Sequence, residues 1–289
     1  MSVPVVMIIW SGWPHHTQSR GCSVTYHQVK LPFSNLRNPL GIDVDRERNT
    51  YVTDQGSHTV ITLSATGEQT VVPLQGLSMP CGVKVTDEGS IYVADQGNDR
   101  VVVLDPDGNQ RTLGFVGLNR PSGVDVAVDG TVYVTDSNNS RVLALPPGGD
   151  QVELPFTFDA SAQPWGIVVD ADNSVIVTVR HHGVEPIKKL SADGVETTLG
   201  FGKTGSPTDV DVDADGNVYI TNFGADSFTD NIARLDRNGN ASRVPFRELS
   251  VLRPIGIAVD HRGGITVLDW LGVVYRLDKT DATTAVTQV

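Results

Sequence analysis

Two cysteines, Cys22 and Cys81, are all that occur in 289 residues. They lie in unrelated segments with no Cys-x-x-Cys spacing, so the sequence predicts free thiols rather than a disulfide framework. No run of 18 apolar residues exists, which excludes a helical membrane span. The short apolar patch from Val3 to Trp10 lacks a basic leader and a small-residue cleavage site, so it makes a poor export signal. Cys22 is a poor lipidation site, because a polar stretch separates Arg20-Gly21-Cys22 from that patch. Basic residues are outnumbered, 22 against 34, for a net charge of −12. Such a chain repels phosphate backbones, which disfavours a nucleic-acid partner. Nucleophile-elbow Gly-x-Ser-x-Gly, phosphate-binding Gly-x-x-x-x-Gly-Lys and zinc-binding His-Glu-x-x-His patterns are all missing.

Glycine is plentiful, at 29 residues, which suits a fold with many tight turns. A phrase with the consensus Pro-x-Gly-Ile/Val-x-Val recurs at Pro39, Pro80, Pro121, Pro164, Pro207 and Pro254. Its spacing of just over forty residues is that of a four-stranded propeller blade. The expected fold is therefore an all-β, six-bladed β-propeller spanning residues 23–289. Residues 1–22 match nothing downstream and are expected to be an extension, poorly ordered.

Each repeat reads as four short strands. The first follows the proline, as in Gly41 to Val44. The second is β-branched and aromatic and ends in Asp, as in Tyr51-Val52-Thr53-Asp54 and Tyr92-Val93-Ala94-Asp95. Asp/Gly clusters between them read as hairpin turns. The third strand is apolar, as in Val60 to Leu63. The fourth carries Pro or Gly before its last apolar residue, as in Pro73-Leu74 and Pro155-Phe156, which places it at a sheet edge. One copy of the fourth-strand phrase precedes the first repeat: Gln28 to Phe33 (QVKLPF) against Gln151 to Phe156 (QVELPF). The sixth repeat has no such phrase after Leu277. The N-terminal strand is thus expected to complete the last blade and close the ring, with Thr283 to Val289 as the competing segment.

The stretches GVKVTDEGSIYVADQGNDRVVVLDPDG (Gly82 to Gly108) and GVDVAVDGTVYVTDSNNSRVLALPPGG (Gly123 to Gly149) resemble NHL repeats. The resemblance extends over about Val24 to Leu277. The LPF-x-x-L phrase between blades is similar to that of the extracytoplasmic sensor propeller of bacterial receptor-type serine/threonine kinases. It implies a stand-alone sensor or binding module outside the cytoplasm, without a kinase signature. Lyase and lactonase propellers share the architecture, and the lactonases hold a divalent cation in the channel with Glu, Asn and Asp. Here Asp43, Asp125 and Asp211 stand at equivalent first-strand positions, but Lys84 stands among them and a channel Glu is lacking. The reading is a non-catalytic module with no cofactor and no metal ligands, probing a protein or small ligand as a monomer. A metal-assisted lyase or lactone hydrolase is the alternative.

Asp211-Val-Asp213-Ala-Asp215-Gly216 looks like the start of a calcium loop, yet its twelfth position is Asn222 rather than Glu. The same slot in other repeats is ordinary hairpin, so a solvent-facing hairpin is expected. The recurrent Asp54, Asp95, Asp136 and Asp269 are expected to be structural, accepting backbone N–H groups in the following turn, with Arg100 and Arg141 as partners of two of them. Departures from the repeat are the informative places. Blade four replaces the closing Asp with Thr178-Val179-Arg180-His181-His182 and puts Trp165 after its proline. The loops after Val179 and Asn222 lengthen, the second holding Phe223 and Phe228, and Trp270 occupies the matching turn of blade six. Trp165, Arg180, His181, His182, Phe223, Phe228 and Trp270 are the expected binding residues, since aromatics and Arg anchor interfaces. His181 and His182 are adjacent and point oppositely in an extended segment, so they do not chelate one metal as a pair.

Overall fold

The computed structural model describes residues 25–180, 187–202, 205–223, 232–245 and 253–280. They form six four-stranded antiparallel sheets, and short 3-10 turns at Gln96–Asn98 and Ser137–Asn139 are the only helical elements among them. The innermost strands are Pro39–Val44, Pro80–Val85, Pro121–Val126, Gln163–Val169, Pro207–Val212 and Pro254–Val259, one for each of blades 1 to 6. Each packs against the next, and the sixth packs against the first, so the ring is closed. No helix among the described residues is long and apolar enough to cross a membrane.

Closure uses the N-terminal strand. Thr25–Leu31 pairs antiparallel with Val274–Thr280 in unbroken register, from Thr25 opposite Thr280 to Leu31 opposite Val274. Thr283 to Val289 lie outside the described residues, as do residues 1–22. The outer strand supplied from the other end of the chain covers an edge that would otherwise expose unpaired N–H and C=O groups.

The hydrophobic core sits between blades. Val60 of blade 1 packs with Val83, Val93 and Leu104 of blade 2. Ile176 of blade 4 packs with Val210 and Ile220 of blade 5, and Tyr219 of blade 5 with Ile257 and Val267 of blade 6. Fully buried side chains of this kind each contribute about 1.5–3 kcal/mol, and the clusters they form join neighbouring blades.

Between inner strands the spacing is set by polar groups. The Gly41 N–H donates to Thr53 Oγ1 (2.8 Å), whose hydroxyl donates to the Cys81 carbonyl of the next blade (2.5 Å). Gly123, Thr135 and the Trp165 carbonyl repeat the relay, at 2.7 Å for both steps. A Cβ on Gly41 would lie 2.2 Å from the Cys81 carbonyl, and one on Gly123 2.4 Å from that of Trp165. Glycine is required here by close approach of two backbones.

The closing aspartates are structural, and their reach differs from the expectation. Besides the following turn, they bind the loop that precedes the blade's own proline. Asp54 accepts from Asn38 N (2.8 Å) and Arg37 N (3.1 Å) as well as Gly56 N (3.1 Å). Asp95 and Asp136 accept from Ser78 N (2.6 Å) and Asn119 N (2.7 Å), and pair with Arg100 (2.7 Å) and Arg141 (2.8 Å). The outer strands are shorter than expected: Gln69–Val71 ends before Pro73, and Val152–Glu153 before Pro155. The proline sits in a tight turn closed by Leu74 N to Val72 O (2.8 Å), or Phe156 N to Leu154 O (2.8 Å).

The Asp211–Gly216 stretch is a hairpin, but Asp213 does not face solvent. It is buried and accepts from Asn217 N (2.9 Å), Asp215 N (3.0 Å) and the Tyr219 hydroxyl (2.9 Å). Asp211 instead faces the channel.

Removing residues 1–33 is expected to lower the melting temperature by about 10 °C or more, since one blade loses its edge strand and the ring its closure. Removing residues 1–22 is expected to change it little. Equal melting of both truncations would refute the closure. Asp213→Ala is expected to cost about 2 kcal/mol by stranding Tyr219 and Asn217. Thermal melts should show this loss equally with calcium and with chelator, and a calcium-dependent difference would count against the hairpin assignment.

Candidate functional site

The turns after the second strand and the loops before each proline open on one end of the ring, as the register requires: Pro39 pairs with Asp54, Pro164 with Val179, Pro207 with Asn222 and Pro254 with Asp269. The residue following the closing position is therefore equivalent in all blades. It is Gln55, Gln96 and Ser137 in blades 1 to 3, and Arg180, Phe223 and Trp270 in blades 4 to 6. Three of the residues expected from the sequence thus share one structural position at one mouth of the channel.

The two halves of that mouth differ. In blades 1 to 3 the position is consumed by the protein itself. Gln55 is buried and donates to the Met79 carbonyl (3.4 Å). Gln96 donates to Ser122 Oγ (3.3 Å) and accepts from Arg120 (2.9 Å); Ser137 bonds to Ser122 (2.7 Å) and to the Pro164 carbonyl (2.5 Å). In blades 4 to 6 the side chains stack on one another. The Arg180 guanidinium lies 3.4 Å from the centroid of the Trp165 ring. Phe223 and Trp270 meet edge to face at 6.2 Å, and Arg253 lies over Phe223 at 5.8 Å. Trp270 is 45% exposed and its neighbour Leu271 65%. His181, His182 and Phe228 lie outside the described residues. Arg253 and Leu271, which the repeat analysis passed over, belong to the same arc.

Trp165 also joins the ring of residues after the prolines, with Leu40, Cys81, Ser122, Thr208 and Ile255, at the top of the central channel. Cys81 is a free, buried thiol, pushed by burial up to about 12. Burial lowers the pKa of Arg180, opposed by the nearby Cys81 and Asp209. Among the described residues no carboxylate approaches it within ion-pair distance.

Further down the channel lie Asp43, Lys84, Asp125 and Asp211 at equivalent positions, with Asp209 one step above Asp211. Asp209 was missed in the sequence. It stands where five blades have Gly41, Gly82, Gly123, Gly166 and Gly256, and that substitution was the available signal. The carboxylates tie blades together: Asp43 accepts from Val85 N (2.7 Å), Asp125 from Val169 N (2.6 Å), Asp209 from Ile257 N (3.0 Å) and Asp211 from Val259 N (2.6 Å). Burial pushes Asp209 up to about 8 and Asp211 up to about 7, the latter against the attraction of Lys84. Burial opposes the Lys84 charge, yet Asp125, Asp43 and Asp211 hold its pKa well above the ordinary value.

These residues do not fit a divalent ion. The Lys84 ammonium lies 3.2 Å from Asp125 and 3.9 Å from Asp43, in the space between the two carboxylates. Among the described residues no three His, Cys, Asp or Glu side chains converge on a point where a metal could sit. The channel offers about 50 Å³ of open space, far below the roughly 300–1,000 Å³ of small-molecule pockets.

An NHL-repeat model matches residues 118–145, from the loop before Pro121 to the third strand of blade 3. No curated protein matches the chain significantly. Among solved structures it is similar to virginiamycin B lyase from Staphylococcus aureus with quinupristin (16% identity, TM-score 0.67, covering 88% of this chain and 99% of that one). It is similar to a gluconolactonase from Xanthomonas campestris (17%, TM-score 0.72, 88% and 90%). It is also similar to a chain of a nidogen/laminin complex (22%, TM-score 0.63, 76% and 84%). At these identities the likeness is one of fold, shared by enzymes and binding proteins alike. With six closed blades, the chain is a six-bladed β-propeller that carries an NHL repeat at residues 118–145.

Proposed function

We propose that the protein is a non-catalytic binding propeller that recognises a partner with the arc formed by blades 4 to 6 at the mouth where the proline loops open. One observation carries the reading: at a position equivalent in all six blades, three side chains are consumed by internal hydrogen bonds and three are Arg180, Phe223 and Trp270. The stacked pairs Arg180/Trp165 and Phe223/Trp270 present guanidinium and ring surfaces, the side chains that dominate interface energetics. His181, His182 and Phe228 follow in the adjoining loops of the sequence and belong to the proposed face. The narrow channel supports recognition at the surface rather than chemistry on a molecule drawn inside. Lys84 argues in the same direction, since it neutralises the carboxylates that a metal-assisted lyase or lactonase would need for its ion.

Wild-type protein and its Trp270→Ala, Trp165→Ala and Arg180→Ala variants, immobilised and exposed to extract of the native host, test the reading. A partner retained by the wild type should be held at least 10-fold more weakly by each variant, about 1.4 kcal/mol or more. It should be held equally by Arg46→Ala, which alters the opposite end. Equal retention by all variants would remove the proposal. The channel carboxylates make a separate prediction. Asp209 has a folded pKa of about 8, above its unfolded value of roughly 3.9. Its contribution to stability is therefore complete below the unfolded value and lost as pH rises toward 8. Asp209→Asn should melt a few degrees higher than wild type at pH 8, about 1 kcal/mol or more, and the gap should close by pH 4. A constant difference across that range would contradict the assigned charge state.

A further inference from the structure

The charge on the two ends of the ring is unevenly distributed, and this bears on what the arc binds. At the far end, each of the six turns joining first and second strands carries at least one acid, with pairs at Asp45 and Glu47, Asp87 and Glu88, and Asp170 and Asp172. At the mouth, the closing aspartates are buried and committed to backbone N–H groups or to Arg100 and Arg141. The exposed acids there among the described residues are Asp99, which caps Arg120 N (2.7 Å), and Asp159. Against them stand Arg37, Arg180 and Arg253, with Arg120 committed to Gln96 (2.9 Å). Among the described residues, the exposed acids thus gather on one end and Arg180 and Arg253 stand on the other.

Arg180 is the sharpest part of that contrast. It is half-buried and lies over the Trp165 ring, 3.4 Å from its centroid, with no carboxylate among the described residues in ion-pair range. An arginine offers its N–H donors in a planar fork that matches a carboxylate. It has already lost part of its hydration, so an incoming carboxylate gains more than it would at an exposed arginine. Beside it, Phe223, Trp270 and Leu271 offer apolar surface.

From this geometry, and resting on the binding face proposed above, we infer that the partner's docking segment is an acidic peptide in which carboxylates alternate with aromatic or aliphatic side chains. The carboxylates engage Arg180 and Arg253, and the apolar side chains cover Phe223 and Trp270. The acidic far end repels the same segment, so the charge asymmetry steers it to the mouth. Single-stranded RNA offers anions too, but its affinity grows with the number of phosphates neutralised, and this arc supplies few cations on an acidic body.

The test uses the full chain and four labelled probes in fluorescence anisotropy: the alternating decapeptides (Glu-Phe)5 and (Lys-Phe)5, a (Ser-Phe)5 control and oligo-uridylate. Preferential binding of (Glu-Phe)5 is expected, weakening several-fold between 50 and 300 mM salt. Arg180→Ala and Arg253→Ala should each reduce it at least 5-fold, Arg180→Lys should be intermediate because it keeps charge without the fork, and Arg46→Ala should leave it unchanged. Absence of (Glu-Phe)5 binding, or binding indifferent to Arg180, overturns the inference. Oligo-uridylate binding of equal or greater strength overturns it in favour of a nucleic-acid ligand. If (Lys-Phe)5 or (Ser-Phe)5 binds better and the binding is lost in Trp270→Ala, the face stands and its assigned charge preference falls. If a probe binds and neither Trp270→Ala nor Arg180→Ala changes it, face and preference fall together.

Discussion

The close approach of six inner strands around one axis governs this molecule. Where the Cys81 carbonyl would come within 2.2 Å of a Cβ on Gly41, side chains larger than hydrogen are excluded, and the backbones are spaced by the hydroxyls of Thr53 and Thr135. One step along each strand the next side chain faces the lumen, where Asp43, Asp125 and Asp211 each hold an N–H of the following blade. The charges that do this linking must be tolerated in a confined space. Lys84 supplies the compensation beside Asp43 and Asp125. The same side chain that stabilises the ring fills the place where a channel cation would sit. Fold maintenance and channel chemistry therefore compete for the same atoms, and in this chain fold maintenance holds them.

Much of that arrangement was legible in the sequence. The phrase around Pro39, Pro80 and their repeats located the inner strands. The QVKLPF copy at Gln28 identified the strand that closes the ring, because a repeat missing from one end of a cyclic array must be supplied from the other. What stayed hidden depended on distance across the ring rather than along the chain. Asp209 departs from Gly in the repeat, but only the packing of blade 5 against blade 6 shows that it holds Ile257. Asp213 reads as an exposed turn residue, yet the Tyr219 hydroxyl folds back over it. The residues after the prolines and after the closing aspartates looked like separate deviations until the register of Gln163 against Arg180 placed them together.

Tandem repetition makes six equal positions, whereas recognition of one partner needs an unequal surface. The asymmetry arises where it costs the ring least. The mouth position lies one residue beyond the closing aspartate, past the last group that clamps turn to proline loop. In blades 1 to 3 the clamps Asp54, Asp95 and Asp136 are intact, and the residues beyond them settle into internal hydrogen bonds. In blade 4 the clamp is Val179, which accepts nothing through its side chain. In blade 5 it is Asn222, whose buried Oδ1 has no hydrogen-bond partner among the described residues. These are also the blades whose turns lengthen in sequence. The residue at the root of each turn nevertheless keeps blade geometry: Arg180 stays in register with Gln163, and Phe223 N donates to the Ser206 carbonyl (2.8 Å) as Trp270 N does to that of Arg253 (3.0 Å). Blade 6 keeps Asp269, which binds Arg253 N and Leu271 N, and so presents Trp270 and Leu271 from a fixed turn. The proposed surface thus departs from the repeat in its side chains while the backbone that carries Arg180, Phe223 and Trp270 keeps the blade pattern, so these anchors are presented preorganised.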